Sequence, residues 1–185
     1  MTPAVFVDRD GVINEPVWDP RTRTFESPYR PQDVTLVPGA AAGLQRLRAA
    51  GLKLVLASNQ PSAAKGRVTL DDLAAVHERV AEALRTAGVE LDAAYYCHHH
   101  PDFTGPCECR KPAPGLLLDA AAALGLDLEH SWMIGDADTD VTAAHAAGAK
   151  AVLVEHPRTA HRRRGAVAPE HTAPDLARAA ALIAR

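Results

Sequence analysis

Ala4-Val5-Phe6-Val7-Asp8-Arg9-Asp10-Gly11-Val12 is an apolar run that stops abruptly at acid, and the rest of the chain is read outward from it. An unbroken run of apolar residues, with no polar alternation, is the pattern of a strand buried on both faces, as in a parallel sheet. The same grammar repeats downstream. Leu52–Ala57 ends at Ser58-Asn59-Gln60, Ala93–Cys97 ends among histidines, Ser131–Ile134 ends at Gly135-Asp136, and Ala151–Val154 is a further strand. Between these runs the spacing turns helical. Gly39–Ala50 carries Leu44 and Leu47, and a helix after Thr69 places Leu73, Val76, Val80 and Leu84 on one face before Gly88. Thr69 with Asp72 has the form of a capping box. Pro114–Gly125, Thr139–Ala147 and Asp175–Ile183 read as three more helices.

Alternating strand and helix predicts an α/β fold, a Rossmann-like parallel sheet with helices on both faces. In such sheets the ligand site lies outside the carboxyl ends of the strands. That is where Asp8/Asp10, Ser58/Asn59, Cys97/His99 and Asp136/Asp140 fall. The 185 residues suit one domain over 1–185. Between Asp10 and Ser58 the chain must supply a long loop, a helix and a strand, which leaves no room for a cap domain. With 47% hydrophobic and 23% charged residues the composition is that of a globular protein. The formal charge of −3 speaks against general binding to nucleic acid. No apolar run is long enough to span a bilayer, and the first residues carry no basic leader. A cytoplasmic protein without membrane or nucleic-acid partners is expected, and a monomer.

Asp8 and Asp10 can hold a hard divalent cation through oxygen while leaving one carboxylate free as nucleophile or acid/base. Gly11 permits a tight turn behind them. Ser58 can donate to a phosphate oxygen, and Lys111, in Arg110-Lys111-Pro112, offers a point positive charge. Gly135-Asp136-Ala137-Asp138-Thr139-Asp140 brings late acid to another strand end, suited to completing a magnesium site. Each has a duller reading as a turn, cap or solvated charge; their shared placement at strand ends weighs against coincidence.

All three cysteines lie in Cys97-His98-His99-His100…Cys107-Glu108-Cys109. Thiolate and imidazole together fit a closed, structural Zn²⁺ site, against the alternative of free buried thiols. The expected set is Cys97, His99, Cys107 and Cys109, with His98 or His100 able to substitute. Such a staple precedes Arg110-Lys111 directly and would order that loop without entering the chemistry.

The set Asp8-Arg9-Asp10-Gly11, Ser58-Asn59-Gln60, Lys111-Pro112 and Gly135-Asp136 resembles the four motifs of the haloacid dehalogenase (HAD) superfamily of phosphatases, over residues 4 to about 154. The resemblance implies that Asp8 is a nucleophile forming an aspartyl-phosphate and that Asp10 is its general acid and base. It implies that Ser58 and Lys111 hold the phosphoryl oxygens, and that Mg²⁺ is bound by Asp8, Asp136 and the backbone carbonyl of Asp10. Tyr95-Tyr96-Cys97…His99…Cys107-x-Cys109-Arg110-Lys111-Pro112 further resembles the small, capless, zinc-bearing members. These imply a sugar phosphate as substrate, a heptose 1,7-bisphosphate first and histidinol phosphate as the alternative, with Arg9, Asn59, Gln60 and Arg110 as substrate contacts. A non-catalytic, zinc-stabilised binding domain is the alternative from another class. Pro61, Ser58 and Ala137 depart from the usual serine, threonine and lysine of the heptose-directed pattern, which bears on contacts at the phosphate end.

Three segments stay open. The stretch Asn14–Val37, with Pro16, Pro20, Pro28 and Pro31, is either a functional loop or a solvated one. Trp18 within it either lids the site or anchors the loop, while Trp132 is expected in the core. His156-Pro157-Arg158 and His161-Arg162-Arg163-Arg164 are expected as a solvated basic loop rather than a nucleic-acid patch, with steering of a phosphorylated substrate as the functional alternative.

Overall fold

The computed structural model describes residues 1–184. Six strands form one parallel sheet in the order β5-β4-β1-β6-β7-β8. They are β1 (Thr2–Val7), β4 (Lys53–Asn59), β5 (Ala93–Cys97), β6 (Leu126–Gly135), β7 (Lys150–Val154) and β8 (His171–Ala173). The period-two geometry of a strand explains the unbroken apolar runs, because both faces are covered. Val5, Val7, Leu54 and Leu56 enter one core with Leu44, Val76, Val80 and Leu176. Ala4, Phe6, Val55 and Ala57 enter the other with Leu116, Leu117, Val141 and Ala144.

The first core is closed by α1 (Ala40–Ala49), α2 (Leu70–Thr86) and α6 (Leu176–Ile183). The second is closed by α4 (Gly115–Leu124) and α5 (Asp138–Ala146), while α3 (Pro101–Thr104) is a single exposed turn outside both cores. α2 starts at the expected capping box, in which Thr69 Oγ1 accepts from Asp72 N at 3.0 Å and Asp72 Oδ2 accepts from Thr69 N at 2.8 Å. α6 is capped by the Asp175 carboxylate, which accepts from Arg178 N at 2.8 Å. Such caps contribute about 1 kcal/mol each.

The chain between Asp10 and Ser58 holds a two-stranded antiparallel hairpin, β2 (Val17–Asp19) and β3 (Thr24–Glu26), then a 3₁₀ turn at Pro31–Asp33, α1 and β4. No cap domain lies among the described residues. Trp18 pairs with Phe25 across the hairpin, edge to face at 5.3 Å, so it anchors the loop. Trp132, half-buried, packs against the first core as expected and stacks on His171 of β8. The basic stretch departs from expectation. Pro157–Arg162 forms a 3₁₀ turn, and Arg162 and Arg163 point inward rather than into solvent because buried oxygens of Asp10, Asp136 and Val154 receive them. No helix among the described residues is long and apolar enough to cross a membrane.

Candidate active site

Four strand ends meet over β1. The chain leaves the sheet at Asp8 and folds back at once, with the amides of Ile13 and Asn14 donating to the Arg9 carbonyl at 2.8 and 3.0 Å. Gly11 sits at φ +87°, and a Cβ there would lie 2.5 Å from Asp136 Oδ2. Only glycine lets this turn approach the β6 carboxylate so closely.

Asp8, Asp136 and Asp140 are buried, and one carboxylate oxygen from each lies within 4.8 Å of the others. Lys111 answers them from the segment after Cys109, beside the end of β4. Its ammonium, 2% exposed, donates to Asp8 Oδ1 at 3.0 Å, Asp140 Oδ1 at 2.6 Å and the Ala57 carbonyl at 2.7 Å. Burial lowers its proton affinity, but Asp140 and Asp8 outweigh that and hold it above the ordinary lysine range. Burial, with Asp8 and Asp140 adding their charge, pushes Asp136 up to about 7 against the pull of Arg162. Asp136 Oδ1 is closed off from solvent and has no partner within the protein, which marks an acceptor awaiting a cation. Arg162 Nη1 lies 3.3 Å from Asp136 Oδ2 and 3.4 Å from the Asp10 carbonyl, so those two oxygens face a common point.

The Asp10 side chain turns away from this cluster into a cage of donors. Arg9 reaches it through Nε and Nη2 at 3.1–3.2 Å, Asn14 Nδ2 at 3.0 Å, Ser27 Oγ at 2.7 Å and Gln60 Nε2 at 2.7 Å. Burial alone would raise its proton affinity; the Arg9 charge and these hydrogen bonds prevail and hold Asp10 at about 2. A carboxylate so held stays ionised. Its expected place at the metal therefore rests on its carbonyl alone.

Other expected residues divide. Ser58 Oγ is buried at the site and accepts from Gln60 at 3.0 Å. Arg9 and Gln60 are fully enclosed, Arg9 between Asp10 and His77 and Gln60 with its Nε2 on Asp10 and Ser58 and its Oε1 sealed from solvent, so neither is open to a substrate as expected. Asn59 is committed as well, donating to the Lys111 carbonyl at 2.9 Å and accepting from the Lys111 amide at 3.1 Å. Arg110 is half-exposed and donates to the His99 carbonyl at 3.1 Å. Asn14, Ser27 and Arg162 are contributors that pattern reading passed over. Asp140 lay within the acidic run already noted, but its pairing with Lys111 had no local signal.

Cys97, His99, Cys107 and Cys109 converge as expected, their ligand atoms within 4.8 Å of one another. The neighbouring histidines are otherwise engaged. His98 Nδ1 lies 3.3 Å from the Gln60 carbonyl, and His100 Nδ1 accepts from the Asp102 amide. The thiols are free, not disulfide-bonded. Three sulfurs and one imidazole nitrogen in a closed set have the donor chemistry of tetrahedral structural zinc.

A HAD-hydrolase-like family model matches residues 108–179. The chain is 38% identical over 151 residues to the D-glycero-beta-D-manno-heptose-1,7-bisphosphate 7-phosphatase of Rhodopseudomonas palustris, covering 79% of each protein. It is 40% identical over 162 residues to the corresponding phosphatase of Thermosynechococcus vestitus, covering 83% of this chain and 79% of that one. Among solved structures, the D,D-heptose 1,7-bisphosphate phosphatase of B. bronchiseptica, complexed with magnesium and phosphate, superposes with a TM-score of 0.83 at 32% identity. That match covers 98% of this chain and 97% of that one.

Proposed function

Because the chain belongs to the family of the heptose-1,7-bisphosphate 7-phosphatases within the HAD-like hydrolases, we propose that it removes the 7-phosphate of D-glycero-D-manno-heptose 1,7-bisphosphate through an aspartyl-phosphate on Asp8, as one lidless domain over residues 1–185. The observation that carries this reading is the Asp8 carboxylate held 3.0 Å from a buried lysine, beside the unpartnered oxygen of Asp136.

Asp8 attacks phosphorus, and the bond from phosphorus to the sugar oxygen breaks as the bond to the aspartyl oxygen forms. The sugar oxygen leaves with a proton from Asp10. An incoming phosphate anion raises the proton affinity of a neighbouring carboxylate, which prepares Asp10 for that half of the cycle. Asp10, again a carboxylate, then takes a proton from water, whose oxygen attacks phosphorus and frees Asp8 and inorganic phosphate. Lys111 and the Ser58 hydroxyl and amide serve the phosphoryl oxygens, whose charge must be matched in a transition state with little other help from the protein. Asp8, Asp136 and the Asp10 carbonyl would hold Mg²⁺, which when bound supplies charge compensation at the phosphoryl group. Arg110, half-exposed beside Lys111, would serve the far end of the substrate.

Phosphate release from the β- and α-anomers of heptose 1,7-bisphosphate and from histidinol phosphate, each with Mg²⁺, tests the substrate. We expect kcat/KM on a heptose bisphosphate to exceed that on histidinol phosphate at least ~10²-fold, the size of discrimination that differing polar contacts supply. A reversed ratio would assign the alternative substrate, and no release from any would leave only a binding domain.

We read the cysteine cluster as a Zn²⁺ site in a protein of the reducing cytoplasm, where such thiols stay unpaired. Cys107→Ser is expected to take zinc from one ion per chain to none. The melting temperature should fall by roughly 5–10 °C, the shift that ~2–4 kcal/mol gives a domain of this size. Unchanged metal content by atomic absorption would sink the assignment.

A further inference from the structure

One histidine lies behind the acid/base residue with no part in the steps above. His77, on α2, places Nδ1 2.8 Å from Arg9 Nη1. An arginine only donates, so this nitrogen must be the acceptor and Nε2 must carry the proton. The ring is stacked on Tyr96 from β5, centroids 3.6 Å apart and planes within 8°. Its Nε2 is sealed from solvent without a partner. Burial, then the Arg9 charge and His98, lower the ring to about 3, so the imidazole stays neutral and available as an acceptor.

Arg9 is itself fully buried, and its remaining donors fork onto Asp10. A guanidinium in the interior holds one geometry only if every edge has its partner. Nη1 points away from Asp10, and His77 is the side chain that meets it. Tyr96 fixes the plane of the ring, and hence the direction of its lone pair. From β1 through Arg9 to α2 and β5, a rigid line therefore ends at the carboxylate that must face the leaving oxygen.

We infer that His77 is a positioning residue for proton transfer: by accepting from Arg9 it sets the orientation of the Asp10 carboxylate, without touching substrate. The inference rests on the phosphatase reading above, in which Asp10 is acid and base. Its consequence is selective. A misaligned acid slows a poor leaving group, such as a sugar alkoxide, far more than one that departs unprotonated, such as p-nitrophenolate.

His77→Phe keeps the stack on Tyr96 and removes the acceptor; His77→Asn puts an amide oxygen near the place of Nδ1. We expect kcat for heptose 1,7-bisphosphate to fall ~10–100-fold in the phenylalanine variant with KM within about twofold, the scale of a small misplacement of a catalytic group. The pre-steady-state burst of p-nitrophenol from p-nitrophenyl phosphate should change less than ~3-fold, because that bond breaks without the acid. His77→Asn should recover kcat to within ~5-fold of the parent, as a conserved acceptor requires. Melting curves and zinc content of both variants show whether the fold is kept; if His77→Phe does not fold, the asparagine variant and a His77→Leu variant carry the same comparison. Equal losses of sugar-phosphate turnover and aryl burst, or no rescue by asparagine, would reduce His77 to packing. A parent enzyme inactive on every sugar phosphate would instead remove the phosphatase reading on which the inference stands.

Discussion

Replacing Asp8 by Asn is expected to lower phosphate release by at least ~10⁴-fold while leaving a folded protein, since loss of a nucleophile removes the covalent route altogether. The amide oxygen of asparagine can still accept from Lys111 Nζ, now 3.0 Å from Asp8 Oδ1. Three buried carboxylates, Asp8, Asp136 and Asp140, face two cations here, Lys111 and Arg162, so deleting one negative charge relieves repulsion. The melting temperature should stay level or rise. That pairing of a dead enzyme with an undiminished melt separates a chemical role from a structural one. Parent enzyme quenched in mid-turnover should also carry an acid-stable, alkali-labile phosphoryl group absent from the variant. Residual activity within ~10-fold of the parent would show that another group attacks phosphorus.

Lys111→Met should damage both properties together. Every proton of this ammonium has an acceptor: Asp8, Asp140 and the Ala57 carbonyl. Methionine fills the volume but strands two buried carboxylates, and breaking a buried pair in this way costs about 3–5 kcal/mol. For a domain of this size that is roughly 6–20 °C in melting temperature. The charge that meets the transferring phosphoryl group goes too, which is worth ~10²–10³-fold in kcat. The double substitution Lys111→Met with Asp140→Asn should return part of the stability and none of the rate. Recovery of rate in the double variant would mean that Lys111 acts only by neutralising Asp140.

The central sheet was legible because its strands are buried on both faces, and an apolar run such as Phe6-Val7 or Leu54-Val55-Leu56 admits few other readings. The hairpin β2–β3 and the edge strand β8 were not. Each strand has three residues, too few to establish a period, and their polarity is that of a loop. The same holds for the site. Asp8 and Asp136, charged residues just past strand ends, and Lys111, before a proline-marked helix start, announced themselves. What aims them did not, because Ser27, Asn14 and His77 acquire their meaning only from contacts made after the chain has closed. Arg9 and Gln60 illustrate the converse: motif position placed them at the substrate, whereas packing enclosed them behind Asp10.

Asn59 holds the backbone of Lys111 by both its amide and its carbonyl, and so ties the segment after the cysteines to the end of β4. The lysine thus inherits its coordinates from the sheet, and the span from His100 to Pro106, which carries the exposed helical turn Pro101–Thr104 capped by His100, hangs between two moorings. Insertions or deletions there should leave turnover intact, which makes that span a tolerant place to graft a tag or to diversify a library.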